Sequence, residues 1–141
     1  MANSQFPKYE ILEHRADLKI RAFGENKKEL FLNMLLAMED NMRPEVKRPE
    51  ERIKRKVAIN SLDFPALLVD FLSEVLYLCQ VNKETYHVAR VKQLADTQLE
   101  AELEGQKVER FGEDIKAVTF HGLEIKQKEN GIWEAIVLFD V

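Results

Sequence analysis

His14-Arg15-Ala16-Asp17-Leu18-Lys19-Ile20-Arg21-Ala22-Phe23-Gly24 alternates with a period of two. Ala16, Leu18, Ile20 and Ala22 face one way; Asp17, Lys19 and Arg21 face the other. Successive side chains of a strand point to opposite faces, so this stretch reads as a half-buried β-strand. Asp17 is out of character, because Asp is depleted in strands. It stands near the strand's start, close to His14 and the cations Arg15 and Lys19. Taken alone it is a solvated edge or turn residue first, and a functional carboxylate second.

Working outward, Tyr9 to Glu13 reads as a short strand running into this stretch. On the other side Gly24 breaks the alternation, and Asn26 with Glu29 three residues on forms a capping-box arrangement. Leu30, Phe31, Met34, Leu35 and Met38 then recur at helical spacing, predicting an amphipathic helix that fades near Met42 and stops before Pro44. Lys47 to Lys56 is the most basic segment, with six cations against Glu50 and Glu51. Its continuation, with Ile53, Arg55, Val57 and Ile59 alternating with Arg52, Lys54, Lys56 and Ala58, is a strand with a cationic face. Such a face either protects an edge strand or meets an acidic or phosphate-bearing partner.

Asn60 to Pro65 reads as a helix entry, and Leu67, Leu68, Phe71, Leu72, Val75, Leu76 and Cys79 as the apolar face of a second helix. Its Asp70 and Glu74 are spaced for a metal but read as a solvated face. Tyr86 to Leu103 reads as two strands around Gln93–Asp96, and Gly105 as the next turn. From Lys116 onward, Ala117, Thr119, His121, Leu123 and Ile125 share a strand face. Asn130-Gly131 signals a hairpin into a buried final strand, Ile132–Phe139. The order is strands, helix, strand, helix, several strands. The expected fold class is α+β, two helices packed on a mostly antiparallel sheet, in a single domain over residues 1–141.

Composition narrows the function. Twenty-one Lys and Arg against 25 Asp and Glu leave a net charge of −4, so no global field draws the chain to nucleic acid or an anionic membrane. The single Cys79 excludes an internal disulfide. No apolar run reaches 18 residues, and Met1–Gln5 lacks the features of a signal peptide, so a cytoplasmic soluble protein is expected. There is no Gly-rich phosphate loop and no Gly-x-Ser-x-Gly elbow. His14, His87 and His121 lack metal-ligand spacing, and Cys79 sits on an apolar helix face as an inert thiol. Oxygen donors are better supplied. Asp17 begins one strand, Asp140 ends another, and the α-carboxylate of Val141 adds a third negative group. If the two strands are neighbours, these groups meet at one sheet rim, where a hard cation such as Ca²⁺ or Mg²⁺ would find oxygens.

Several segments together resemble the archease family. They are His14-x-Ala16-Asp17 with Ile20 to Gly24, the helix with Glu29-Leu30-Phe31, and Leu67-Leu68 to Glu74-x-Leu76-Tyr77-Leu78. Lys116-Ala117-Val118-Thr119-Phe120-His121-Gly122-Leu123 and the terminal Asp140-Val141 complete the likeness, which runs from Tyr9 to Val141. One departure is Arg15, where the family usually has Thr. The resemblance implies a non-enzymatic accessory protein of the RtcB-type tRNA-splicing RNA ligase. That ligase joins a 3′-phosphate or 2′,3′-cyclic phosphate to a 5′-hydroxyl with GTP and Mn²⁺, and its accessory protein promotes guanylation of the ligase histidine and multiple turnover. RNA and GTP would be met only indirectly, through the ligase. The resemblance also implies a Ca²⁺-type metal site whose ligands would be Asp17, Asp140 and Val141, with His14, Lys116 and His121 lining the rim. Two other readings remain open at this point. One is a metal-dependent phosphotransferase or hydrolase using Asp17, Asp140 and His121; the other is a small RNA-binding or chaperone-like module using Lys47–Lys56.

Overall fold

The computed structural model describes residues 7–141, so the reading of Met1–Gln5 lies outside the described residues. The chain runs β1 (Tyr9–His14), β2 (Asp17–Gly24), α1 (Lys27–Asn41), β3 (Pro44–Val46), β4 (Ile53–Asn60), α2 (Phe64–Asn82), β5 (Glu84–Leu94), β6 (Gln98–Phe111), β7 (Ala117–Gln127) and β8 (Trp133–Asp140). The α+β expectation is met, and every strand pair is antiparallel. The strands divide into two sheets. One has the order β1-β2-β8-β7; in the other the long β6 pairs with β3, β4 and β5. Both helices touch both sheets, α1 resting mainly on β2 and α2 on β7.

The opening stretch behaves as its alternation dictates. Leu18, Ile20 and Ala22 are buried, while Asp17, Lys19 and Arg21 are half-buried on the opposite face. The strand begins at Asp17, because His14 closes β1 and Arg15-Ala16 make the connection. Asn26 caps α1 by accepting from the Glu29 amide at 2.8 Å, and Glu29 reaches back to the Glu25 amide at 2.9 Å. Asp63 caps α2 through the Ala66 amide at 2.8 Å, with Pro65 in the first turn. Phe31 of α1 stacks on Phe71 and Phe64 of α2 with ring centroids 6.0 and 5.3 Å apart. Each such pair contributes about 0.5–1.5 kcal/mol beyond its buried area, which locks the helices together.

By length and composition α2 is apolar enough to cross a membrane. Its Leu67, Leu68, Val69, Phe71, Leu72, Val75, Leu76 and Cys79 are instead packed inside the protein core. Asp70 accepts a hydrogen bond from Ser61 at 2.6 Å and so ties the helix entry to α2.

Two glycines mark departures from the sequence-based expectations. Gly105 lies inside β6, paired with Ile53 on one side and Tyr86 on the other, so the expected turn is the middle of a 14-residue strand. A Cβ there would stand 1.8 Å from the Thr85 carbonyl oxygen, so the residue is glycine for close backbone approach. Gly122, at φ +66°, sits in a bulge where the β7–β8 register shifts between Thr119 and Glu124. That bulge breaks the single face expected for Ala117 to Ile125: Val118 is buried, whereas Phe120, His121 and Gly122 are exposed. The short β3 gave no sequence signal that separated it from the loop after Pro44.

Candidate functional site

β2 and β8 are neighbours, and Asp17 stands directly opposite Asp140 in their register. Opposed residues of an antiparallel pair have Cα atoms about 4.5–5.5 Å apart and side chains on one face. Two carboxylates therefore share one end of the four-stranded sheet. Asp17 is half-buried and Asp140 exposed, and neither side chain has a hydrogen-bond or ion-pair partner among the described residues. The β7 strand joins the same end, since Ala117 also pairs with Asp140 and the Lys116 amide donates to the Asp140 carbonyl at 2.7 Å.

The other rim residues separate. His14 ends β1 opposite Leu18, whose side chain points into the core, so His14 belongs to the face opposite Asp17. Lys116 is exposed and lines a shallow cleft of about 250 Å³ with Ser73, Leu76, Tyr77 and Gln80 of α2. Val141 is half-buried and packs against the core edge. His121 is carried away by the bulge. Its segment faces Val137, three residues back along β8 from Asp140, which is roughly 10 Å along the strand. The structure thus brings Asp17, Asp140, Lys116 and Val141 to one end of the sheet, with Lys116 and His14 on the core-side face away from the Asp17 side chain, and leaves His121 outside it.

Two carboxylates and the main-chain oxygens of Val141 are hard donors of the kind Ca²⁺ takes, but Ca²⁺ wants 6–8 oxygens. Among the described residues no group of three or more His, Cys, Asp or Glu converges on a possible metal position. The donor set fits a hard cation only as an open site, with water or a partner supplying the remaining oxygens. Arg15 lies in the connection just before Asp17, exposed and without an ion pair among the described residues. It adds positive charge beside the carboxylates and weakens the local attraction for a cation.

The cationic segment is largely spent on the protein itself. Lys47, Arg48, Arg52 and Arg55 pair with Glu109, Glu51, Glu104 and Glu84. Arg55 turns inward and holds the fully buried Glu84 with two hydrogen bonds of 3.0 and 2.8 Å. Lys107 lies 3.5 Å from the same carboxylate, and the Tyr86 hydroxyl donates to it. Burial pushes the Glu84 carboxyl up, but these donors, Arg55 first, outweigh it and hold the group below the usual carboxylate range.

A second polar constellation went unread in the sequence. Glu39 lies on the buried face of α1 at zero exposure. The Thr85 hydroxyl donates to Glu39 Oε1 at 2.6 Å and the Cys79 thiol to Oε2 at 3.0 Å. Burial drives the Glu39 carboxyl up to about 7, against these hydrogen bonds and that from the Tyr86 amide, which favour the ionised form. Burial likewise pushes the Cys79 thiol up, which accords with the inert thiol expected from its apolar helix face. The one available clue was a Glu inside a run of apolar helix positions, Leu35, Ala37, Met38 and Met42.

Comparison with known proteins places this chain. Residues 9–141 match the family model described as Archease protein family (MTH1598/TM1083). Protein archease of Methanosarcina mazei is 36% identical over 146 residues, spanning 98% of this chain and 99% of that protein. Protein archease of Pyrococcus abyssi is 28% identical, spanning 95% and 99%. The solution structure of Methanobacterium thermoautotrophicum protein 1598 superposes with a TM-score of 0.69 at 27% identity, covering 95% of this chain and 99% of that one. The crystal structure of a Thermotoga maritima archease, described as a possible chaperone, gives a TM-score of 0.66 at 17% identity over the full length of both chains, a likeness of fold. With the family's pattern matched from the first strand to the last residue, this chain belongs to the archease family.

Proposed function

We propose that this protein is a non-enzymatic accessory activator of an RtcB-type RNA ligase, acting in the cytoplasm in tRNA splicing or RNA repair. The reading rests on family membership and is carried by one observation: Asp17 faces Asp140 across β2 and β8 at an open rim, with no protein partner on either carboxylate among the described residues. Two adjacent carboxylates without a cation repel each other, so the pair favours a bound divalent ion. Calcium is the ion we assign, with Asp17, Asp140 and Val141 as the residues that would hold it. When bound, it would supply positive charge at an exposed edge that a partner's phosphates or active-site groups can approach. The chain's own residues set the geometry: Asp17 and Asp140 are fixed by the β2–β8 ladder, and the Lys116 backbone by the hydrogen bond its amide donates to the Asp140 carbonyl. On this reading RNA and GTP meet the ligase rather than this protein. The pairing of Lys47, Arg48, Arg52 and Arg55 with the protein's own carboxylates favours that over direct RNA binding.

The test adds purified protein to an RtcB-type ligase with GTP and Mn²⁺ and follows guanylation of the ligase. Wild type should accelerate guanylation. Asp17→Ala and Asp140→Ala, folded as judged by circular dichroism, should lose both the stimulation and Ca²⁺ binding measured by calorimetry. Full stimulation by both folded variants would refute the assignment of the rim.

A further inference from the structure

The buried Glu39 does not end at its own donors. Thr85 Oγ1, which donates to Glu39, also lies 3.3 Å from His87 Nδ1. His87 Nε2 lies 3.3 Å from Asp40 Oδ1, and Asp40 Oδ2 accepts from the Tyr9 hydroxyl at 3.0 Å. An unbroken chain of polar contacts thus runs from the core to the surface. It joins α1 (Glu39, Asp40), α2 (Cys79), β5 (Thr85, His87) and β1 (Tyr9). Glu39 is fully buried, while His87 and Asp40 are exposed. The other fully buried carboxylate, Glu84 on β5, is already held by Arg55 of β4 and Lys107 of β6.

A hydroxyl carries one proton, and that fixes how the chain can be satisfied. With Glu39 ionised, Thr85 donates to Glu39 and accepts from Nδ1–H of His87. Asp40 then takes the second ring N–H, so His87 is a cation. With Glu39 protonated, its O–H donates to Thr85 and Thr85 donates to Nδ1. His87 is then neutral, with its one N–H directed at Asp40. The two arrangements contain the same atoms and differ only in where one proton sits.

We propose that the Thr85 hydroxyl couples the proton on buried Glu39 to the proton on surface His87, making the junction of α1, α2, β5 and β1 a proton-sensitive latch. Ionised Glu39 is bonded to α2 and β5 at once. Protonated Glu39 keeps both contacts, donating to Thr85 and accepting from Cys79, and sheds its buried charge, so the hold on the last turn of α1 is firmer with the proton on Glu39 and loosens when it leaves. Tyr9, at the outer end of the chain, begins the strand that His14 ends beside the acidic rim. The latch therefore ties the helix junction to the strand that borders the rim.

Carbon-13 NMR titration of the Glu39 side-chain carboxyl in the intact protein tests this. His87 is exposed, so His87→Ala should fold normally. It removes the ring N–H donor that, through Thr85, favours ionised Glu39 and should raise the Glu39 midpoint by about half a pH unit or more. Thr85→Ser keeps the hydroxyl and should preserve this response; in Thr85→Val, adding His87→Ala should change nothing further. An unchanged Glu39 midpoint in His87→Ala, or a full response persisting in Thr85→Val, would overturn the proposal. If Thr85→Val does not fold, the comparison of wild type with His87→Ala decides alone.

Discussion

Glu39 and Glu84 are both carboxylates at zero exposure, and their surroundings drive them in opposite directions. Glu39 has only neutral donors, so burial prevails and its carboxyl rises to about 7. Glu84 has Arg55 and Lys107, and stays ionised. The consequence for stability follows from proton counting. Between its ordinary value of 4.5 and about 7, Glu39 binds more proton in the folded than in the unfolded chain. Its contribution is complete below 4.5 and is lost as pH rises through about 7. The loss is on the order of 3 kcal/mol for a shift of this size. Glu84 does the reverse: its contribution is present above the ordinary carboxylate value and disappears in acid. Thermal melts from pH 5 to 8 should show wild type losing stability as pH rises, with Glu39→Gln losing much less over that window. Equal slopes for the two proteins would show that Glu39 does not titrate there. The sequence showed Glu39 as a helix residue and nothing more, because its partners Cys79 and Thr85 are 40 and 46 positions away.

At the scale of elements, the strands show how backbone geometry overrides a local signal. Gly105 had the look of a turn, yet it is the point where the Thr85 carbonyl of β5 comes close against the paired β6 backbone. A methyl group there meets backbone, which cannot rotate aside. Gly105→Ala should therefore cost more than about 3 kcal/mol, the range of changes that strain a packed backbone, and a denaturant titration would measure it. The bulge in β7 has a similar lesson. Thr119 and Glu124 pair with Leu138 and Ile136, so four residues of β7 stand against one of β8. Period-two reading assigned His121 to the face of Ala117, and the bulge removed it from the rim. The helices were more legible, since Asn26 and Asp63 cap by local hydrogen bonds that depend on three-residue spacings.

On the scale of the whole molecule, two sheets present open edges, and each edge is spoiled for pairing with other chains. β1 is bulged between Ile11 and Glu13, β5 near His87 and Lys92, and β7 over four residues. β4 keeps a regular register along its pairing with β6 and relies on charge: Lys54 and Lys56 are exposed, with no ion pair among the described residues. Replacing both by Val should leave the fold intact and promote self-association, seen as a concentration-dependent shift in sedimentation velocity. A double variant that stays monomeric at high concentration would assign the lysines another task.

The sequence by itself determined the antiparallel strands, the two capped helices and the α+β class, because periodicity and caps act between residues a few positions apart. It also singled out Asp17 and Asp140, and likeness to a family joined them. Tertiary structure alone decided the rest. It divided the strands into two sheets, set Asp17 against Asp140 while turning His14 away and displacing His121, and buried Glu39 beside Cys79 and Thr85. Register and burial are properties of distant segments meeting. A one-residue slip reverses a strand's faces, and no local pattern along the chain records which partner a strand will find.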